Sequence, residues 1–482
     1  MLFQTLEYAA FFFITVALLL VTKNNRIQKC LLLLSSLYFY SVGSLVHLPL
    51  FIAVICFTYI MARVLQKYHK KWLLAVTILL SFVPLFIYKY LPFLYEELCS
   101  GYMSSNSWIL KLSLPVGISF YTFQSVGYVI DVWRGKQEAE RDFLVYAVFV
   151  SFFPQLIAGP IERSSNLLGQ IKQTQRFEYS DVAHGFKLMA LGLFMKVFIA
   201  DRLSIVVDRA YNNVSATSGI VLLMSTLLFG LQIYCDFNGY STIARGSAKV
   251  LGIDLIENFK RPYFALSCSE FWRRWHISLS TWFKDYLYIP LGGNRCGPVR
   301  NSFNLFFTFL VSGIWHGANW TFAIWGGVNG LYQIIEKRLF KTVKREEIKG
   351  FWQKASRWLL TYCLINFSWI FFRANNLSDA FLVIKKIALS IPLEIVGVLN
   401  RTMSVGNVIS LSGSYIWNLG MCVIGVGALF LLSWYQESRG DIIEFVSAKP
   451  KAVRLILYVL IMFITLCFGQ FGSNSQFIYF RF

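Results

Sequence analysis

The chain is short of charge. Of its 482 residues only 15% are Asp, Glu, Lys or Arg, where a soluble domain carries roughly a quarter. With 56% hydrophobic residues and a mean hydropathy of +0.55, that deficit excludes an ordinary soluble globule and puts the protein in a membrane. Histidine is scarcer still, at five residues. The nine cysteines are scattered, mostly inside apolar runs, with no CxxC pair and no Cys/His cluster at zinc spacing. They read as small buried hydrophobes rather than a disulfide frame or a metal site. A GxSxG elbow is missing, which argues against a serine triad. The opening "MLFQTLEYAAFFFITVALLLVTKNNRIQK" lacks the basic n-region and small-residue cleavage site of a cleaved signal and reads as a retained first transmembrane helix.

Acidic residues are the rarer sign, 25 against 45 basic, for a formal charge of +20. The basic residues fall in short gaps between apolar runs, the pattern of cytoplasmic loops. No basic stripe stands apart from it, so no nucleic-acid partner is expected. A bilayer-crossing helix needs about 20 mainly apolar residues. Runs of that kind lie near 3–22, 30–46, 48–65, 72–91, 108–133, 142–160, 184–205, 218–237, 302–335, 356–373, 380–399, 413–435 and 452–471. The expectation is an all-α polytopic protein, a single integral membrane domain over 1–482 with 11 to 13 helices, some tilted, broken or re-entrant. The gap with Lys23, Arg26 and Lys29 is basic, "SVGSLVH" has no Lys or Arg, "RVLQKYHKK" is basic, "YEELCSG" is acidic and "RGKQEAER" is basic again. That alternation puts the N-terminus outside. The linker from Gln436 to Arg454 is basic and inside, which leaves the tail at 472–482 outside as well.

Residues 257–300 are too charged to span and too aromatic for a free loop. Phe271, Trp272, Trp275, Leu279, Trp282, Phe283 and Tyr286 recur at three-and-four spacing, which predicts an amphipathic helix from Phe271 to Tyr288 lying in the membrane interface. "PLGGNRCGP" then breaks it.

Among the histidines, His69 lies in a basic loop, and His47 and His184 sit at expected helix ends. His276 is on the interfacial segment and His316 is deep in an apolar run. An ionisable group at membrane depth is costly and usually faces the bundle interior or a wet cavity. A buried imidazole stays neutral and can accept a proton, which suits a general base acting on a hydroxyl during acyl transfer. The plain alternative is an imidazole that satisfies a helix backbone or hydroxyl.

"WRRWHISLSTWFKDYLYIPLGG" and "FLVSGIWHGANWTFAIWG" together resemble the signature of the membrane-bound O-acyltransferase family. "LPVGISFYTFQSVGYVIDVWRG", "FFPQLIAGPIER" and "YCDFNGYSTIARG" narrow the resemblance to the bacterial branch of alginate O-acetylases and peptidoglycan O-acetyltransferases. In detail it covers about residues 110–335. The resemblance implies helices around a central tunnel, a catalytic His316 within it, and a second histidine at His276 nearer the cytoplasmic mouth. For His276 an interfacial anchor is the competing role. It implies a donor thioester, acetyl-CoA or an acyl-carrier protein, with no tightly bound cofactor and no metal. Arg273, Arg274 and Lys284 are candidate donor contacts or, alternatively, headgroup anchors. Asp236 and Asn319 are candidate orienting groups, or partners for buried backbone. The implied setting is a bacterial inner membrane, with membrane lipids around the protein, a polysaccharide acceptor and an outer serine-hydrolase-like transferase as partner.

The ending "FIYFRF" fits an F-x-Y-x-x-F pattern similar to the acyl-relay tail of the related D-alanylation system, with Tyr479 as carrier. A phenol of pKa about 10 is easier to deprotonate than a sugar hydroxyl, so a tyrosyl ester splits one hard transfer into two. An aromatic membrane anchor is the other reading. Two non-enzymatic functions also stand: a scaffold for a secreted transferase, and a transporter of lipid-linked sugars or anions with broken helices, against which stands the absence of an internal repeat.

Overall fold

Helix starts along the chain follow side-chain capping. Thr5 accepts from the Tyr8 amide at 3.2 Å, and Asn24 accepts from the Arg26 and Ile27 amides at 2.9 and 3.2 Å. Each cap satisfies donors that the first turn leaves over. The computed structural model describes residues 1–99, 107–157, 159–339, 348, 350–400, 402–404, 413–471 and 477–478. Their regular structure is all helical, with no strand among the described residues.

In chain order the helices are α1 (Leu6–Val21), α2 (Asn25–Ser44), α3 (Leu48–Tyr68), α4 (Lys71–Leu85), α5 (Leu91–Cys99), α6 (Ile118–Trp133) and α7 (Phe143–Ser151). Next come α8 (Phe153–Leu156), α9 (Ser164–Lys172), α10 (Tyr179–Leu193), α11 (Asp201–Tyr211), α12 (Gly219–Val250), α13 (Cys268–Arg274) and α14 (Ile277–Phe283). The last are α15 (Pro298–His316), α16 (Trp320–Leu339), α17 (Phe351–Arg373), α18 (Leu377–Leu399), α19 (Gly413–Arg439), α20 (Ile442–Ser447) and α21 (Lys451–Phe468).

Among the described residues, five helical stretches are long and apolar enough to cross a bilayer: 25–68 (α2 and α3 in succession), 71–99, 219–250, 417–439 and 451–468. α15 to α18 are also long, at 19, 20, 23 and 23 residues, but carry more polar side chains. Two of the apolar runs do not form the single helix expected of them. The run at 142–160 folds as α7 and α8, nine and four residues long and buried from Val145 to Leu156. The run at 302–335 divides into α15 and α16, with the turn at His316–Trp320. Hydropathy measures only how apolar a stretch is, and a helix buried in protein is as apolar as one in lipid.

The chain groups into two compact units. The first comprises residues 1–190, 240–258 and 281–286. Its core is the fully buried middle of α6, where Gln124 donates to the Phe149 carbonyl at 2.6 Å and Trp282 to the Phe123 carbonyl at 2.9 Å. Tyr286 closes the same core by donating to Asp131 at 2.6 Å. The second unit comprises 191–239, 259–280 and 287–482, and both candidate histidines belong to it.

Candidate functional site

The α15–α16 hairpin places His316. Small residues let the two backbones touch, as in membrane helix pairs. A methyl added at Gly313 would fall on the Phe322 carbonyl and 2.9 Å from the Gly326 Cα, and one at Gly330 would meet the Phe306 Cα at 3.1 Å. Gly317 follows the last residue of α15, and the Phe322 ring occupies the space a Cβ there would need. His316 is therefore not mid-helix, as its place in the apolar run predicts. It ends α15 at a turn, so its ring is carried on a rigid hairpin.

His276 is placed by a break. Ser267 caps α13 by accepting the Glu270 amide at 3.1 Å, and Glu270 accepts the Leu266 amide at 2.8 Å. The helix stops after Arg274. Trp275 is extended, and His276 takes the left-handed conformation at φ +42°. For a residue with a Cβ that region costs about 1–3 kcal/mol and is found where surrounding structure imposes it. The predicted continuous helix over 271–288 is thus two short helices, α13 and α14. Phe271, Trp275, His276, Leu279, Trp282 and Phe283 are buried rather than laid out on an interface.

The two imidazoles belong to one aromatic enclosure. Trp315 stands between them, its ring 5.0 Å from His316 and 6.4 Å from His276. Trp325 meets His316 edge-on at 5.1 Å and Phe372 lies 5.5 Å away. From Trp325 the rings continue through Trp369 at 5.8 Å and Trp275 at 5.2 Å. Phe237 abuts His276 at 4.6 Å, perpendicular to it. His276 is 1% exposed and His316 4%, so both imidazoles are buried. The segment carrying His276 does not span, and burial pushes its imidazole well below the usual histidine range, to about 3. Near neutral pH that ring is an uncharged proton acceptor.

This enclosure lies within the stretch that the known sequences share. A profile of the membrane-bound O-acyltransferase family matches residues 33–378. The chain belongs to the membrane-bound O-acyltransferase family. The chain is similar to a probable alginate O-acetylase of Pseudomonas syringae pv. tomato, at 40% identity over 74% of this chain and 69% of that one. It is similar to a peptidoglycan O-acetyltransferase of Helicobacter pylori at 33% identity, over 95% of this chain and 92% of that one. A teichoic acid D-alanyltransferase of Bacillus subtilis is 27% identical over 62% of this chain and 76% of its own. The protein is an acyltransferase and a multi-pass membrane protein.

The other predicted site residues of this acyltransferase are distributed differently. Arg274 is committed to a structural network: it meets Glu270 at 2.6 Å and Glu437 through both terminal nitrogens at 3.0 to 3.1 Å, and Arg261 reaches Glu437 at 2.8 Å. Arg273 is exposed, as is Lys284 in the first unit. Asn319 caps α16, accepting the Thr321 amide at 3.0 Å and donating to the Asn375 carbonyl at 3.2 Å. Tyr479 lies outside the described residues.

Asp236 sits in a buried ionic cluster. The Lys196 ammonium is 2.5 Å from Asp236 and 2.6 Å from Asp201, and Lys196 is 1% exposed. Residues 194–200 form a π-helical turn, whose wider pitch brings residues five apart onto one face, here Lys196 and Asp201. Such turns concentrate at functional sites. Lys196 went unremarked in the sequence, although a lone lysine inside "LGLFMKVFIADRL" is itself a signal of function at membrane depth.

Proposed function

We propose that this acyltransferase moves an acetyl group from a cytoplasmic thioester toward hydroxyls of an extracytoplasmic polysaccharide. The donor is acetyl-CoA or an acyl-carrier protein, and the setting is a bacterial inner membrane with both chain ends outside. What carries the reading is the pair of buried imidazoles linked through Trp315, inside a family of O-acyltransferases.

His316 acts as the general base. The attacking oxygen bonds to the thioester carbonyl carbon, its proton passes to the neutral imidazole, the carbon–sulfur bond breaks and the thiolate takes the proton on leaving. His276 lines the donor side of the same tunnel, and the aromatic walls exclude water that would hydrolyse the ester. Exposed Arg273 is a cation available to a phosphate-bearing donor. The first acceptor is the Tyr479 phenol, whose ester then passes to a serine-hydrolase-like outer protein and on to the polymer. The end-to-end match with a peptidoglycan O-acetyltransferase makes glycan strands of the wall the acceptor to examine first.

The test is purified protein with labelled acetyl-CoA, read by release of thiol and by label on the chain. His316→Ala is expected to abolish transfer, and equal handling of label by variant and wild type refutes the base. In cells, full polymer acetylation by a His276/His316 double substitution would favour the scaffold reading instead.

A further inference from the structure

The motif "YCDFNGYS" (residues 234–241) packs four side-by-side features into α12. Asp236 holds Lys196. Phe237 meets His276 on one side and Phe477, 5.7 Å away, on another. Asn238 donates to the Tyr234 hydroxyl at 3.3 Å. Gly239 lets the backbone of the π-helical turn approach, since a Cβ there would sit 3.0 Å from the Lys196 amide nitrogen. Asp236 has one further partner: its second oxygen accepts the backbone N–H of Ile478 at 2.8 Å.

That contact is unusual in its depth. α12 has 32 residues, about 48 Å at 1.5 Å per residue, and Asp236 lies 17 residues past Gly219, near the middle of the helix. Phe477 and Ile478 are 0% and 4% exposed. A backbone amide left over at that depth needs a partner from the protein, and a carboxylate supplies a charge-assisted one. The π-helical turn grips the same tail at its start, where the Gln470 amide donates to the Val197 carbonyl at 3.0 Å. Lys196 meets one oxygen of Asp236, and the other oxygen accepts the tail's amide.

We infer that the Lys196–Asp236 pair is a seat for the chain's own C-terminal tail, gripping it at Phe477 and Ile478 beside Phe237, the ring that also abuts His276. Asp236 is a positioning residue: it acts through the Ile478 amide and Phe237, and Lys196 holds it in place. The inference rests on the reading of Tyr479 as acyl carrier, and it gives a physical reason why a tail carrier needs no helix of its own to reach the thioester.

The experiment uses the full-length protein in detergent and compares Asp236→Leu, Asp236→Asn and Tyr479→Phe. Hydrogen–deuterium exchange of the C-terminal peptide reads seating, and mass spectrometry of the same peptide after exposure to acetyl-CoA reads acylation. Asp236→Leu is expected to lose tail protection and to slow tail acetylation about tenfold or more, the size of one hydrogen bond to a charged group, with the donor KM unchanged. Asp236→Asn keeps a carbonyl acceptor and the volume, so it is expected to fall between Asp236→Leu and wild type. It also decides the matter if the leucine variant does not fold. Unchanged exchange in a folded Asp236 variant overturns the seat, whatever Tyr479 does. Protection lost on Asp236→Leu, with polymer acetylation untouched by Tyr479→Phe, leaves the seat standing and overturns the relay.

Discussion

Replacing Gly313 with alanine tests whether backbone contact in the α15–α16 hairpin sets the position of His316. The added methyl would lie 2.9 Å from the Gly326 Cα and 3.0 Å from its nitrogen, besides falling on the Phe322 carbonyl. These are backbone atoms of a helix and cannot rotate away. Because the methyl overlaps the Phe322 carbonyl outright, reaching ordinary contact near 3.4 Å requires the helices to part by about an ångström. Overpacking of that kind costs about 1–3 kcal/mol, offset by about 1 kcal/mol of helix propensity gained on replacing glycine. Gly327→Ala is the matched control, because its methyl would meet only the Phe306 ring at 3.7 Å and collects the propensity gain alone. The stability difference between the two variants, measured by thermal unfolding in detergent, isolates the clash. The rate follows from the same displacement: a misplacement of about 1 Å can cost about a hundredfold, so Gly313→Ala is predicted to slow acetyl transfer by up to about a hundredfold. If the two alanine variants match in both unfolding and transfer, the hairpin does not position the imidazole.

Three further outcomes are expected. Asparagine tolerates the left-handed backbone and alanine does not, so His276→Ala should be less stable than His276→Asn by about 1 kcal/mol; equal unfolding of the two would show that φ at 276 carries no strain. Because folding depresses the His276 imidazole to about 3, the unfolded chain binds the extra proton below its ordinary value near 6.5. Stability should therefore be full above about pH 6.5 and fall by up to about 1.4 kcal/mol per pH unit below it, a slope that His276→Asn should reduce. Arg274→Ala should lower stability through the loss of Glu270 and Glu437 while leaving the donor KM alone; a raised KM at unchanged stability would instead make it a phosphate contact.

Composition alone established the class of the molecule, since a chain with this little charge and this much apolar surface has no stable aqueous fold. Motif order disclosed the family and singled out two histidines as candidates, because "WHG" between glycine-rich helices and "WRRWH" beside charged ones are local in sequence. Apolar run lengths counted helices poorly. α7, α8 and the α15–α16 turn are hidden from hydropathy, which sees only how greasy a segment is and not whether lipid or protein covers it. The left-handed break at His276 was equally invisible: no glycine or proline marks it, and what imposes it is packing around Trp275. The same holds for Arg274, read as a donor contact from its charge but claimed by Glu437, 163 residues away. Asp236 shows the division most clearly. Its type and depth marked it as something to explain, but that it binds Lys196 on one side and the chain's own tail on the other depends on segments 40 and 242 residues distant. Only folding brings such partners together, because an ion pair at that depth exists where the geometry closes it and nowhere else.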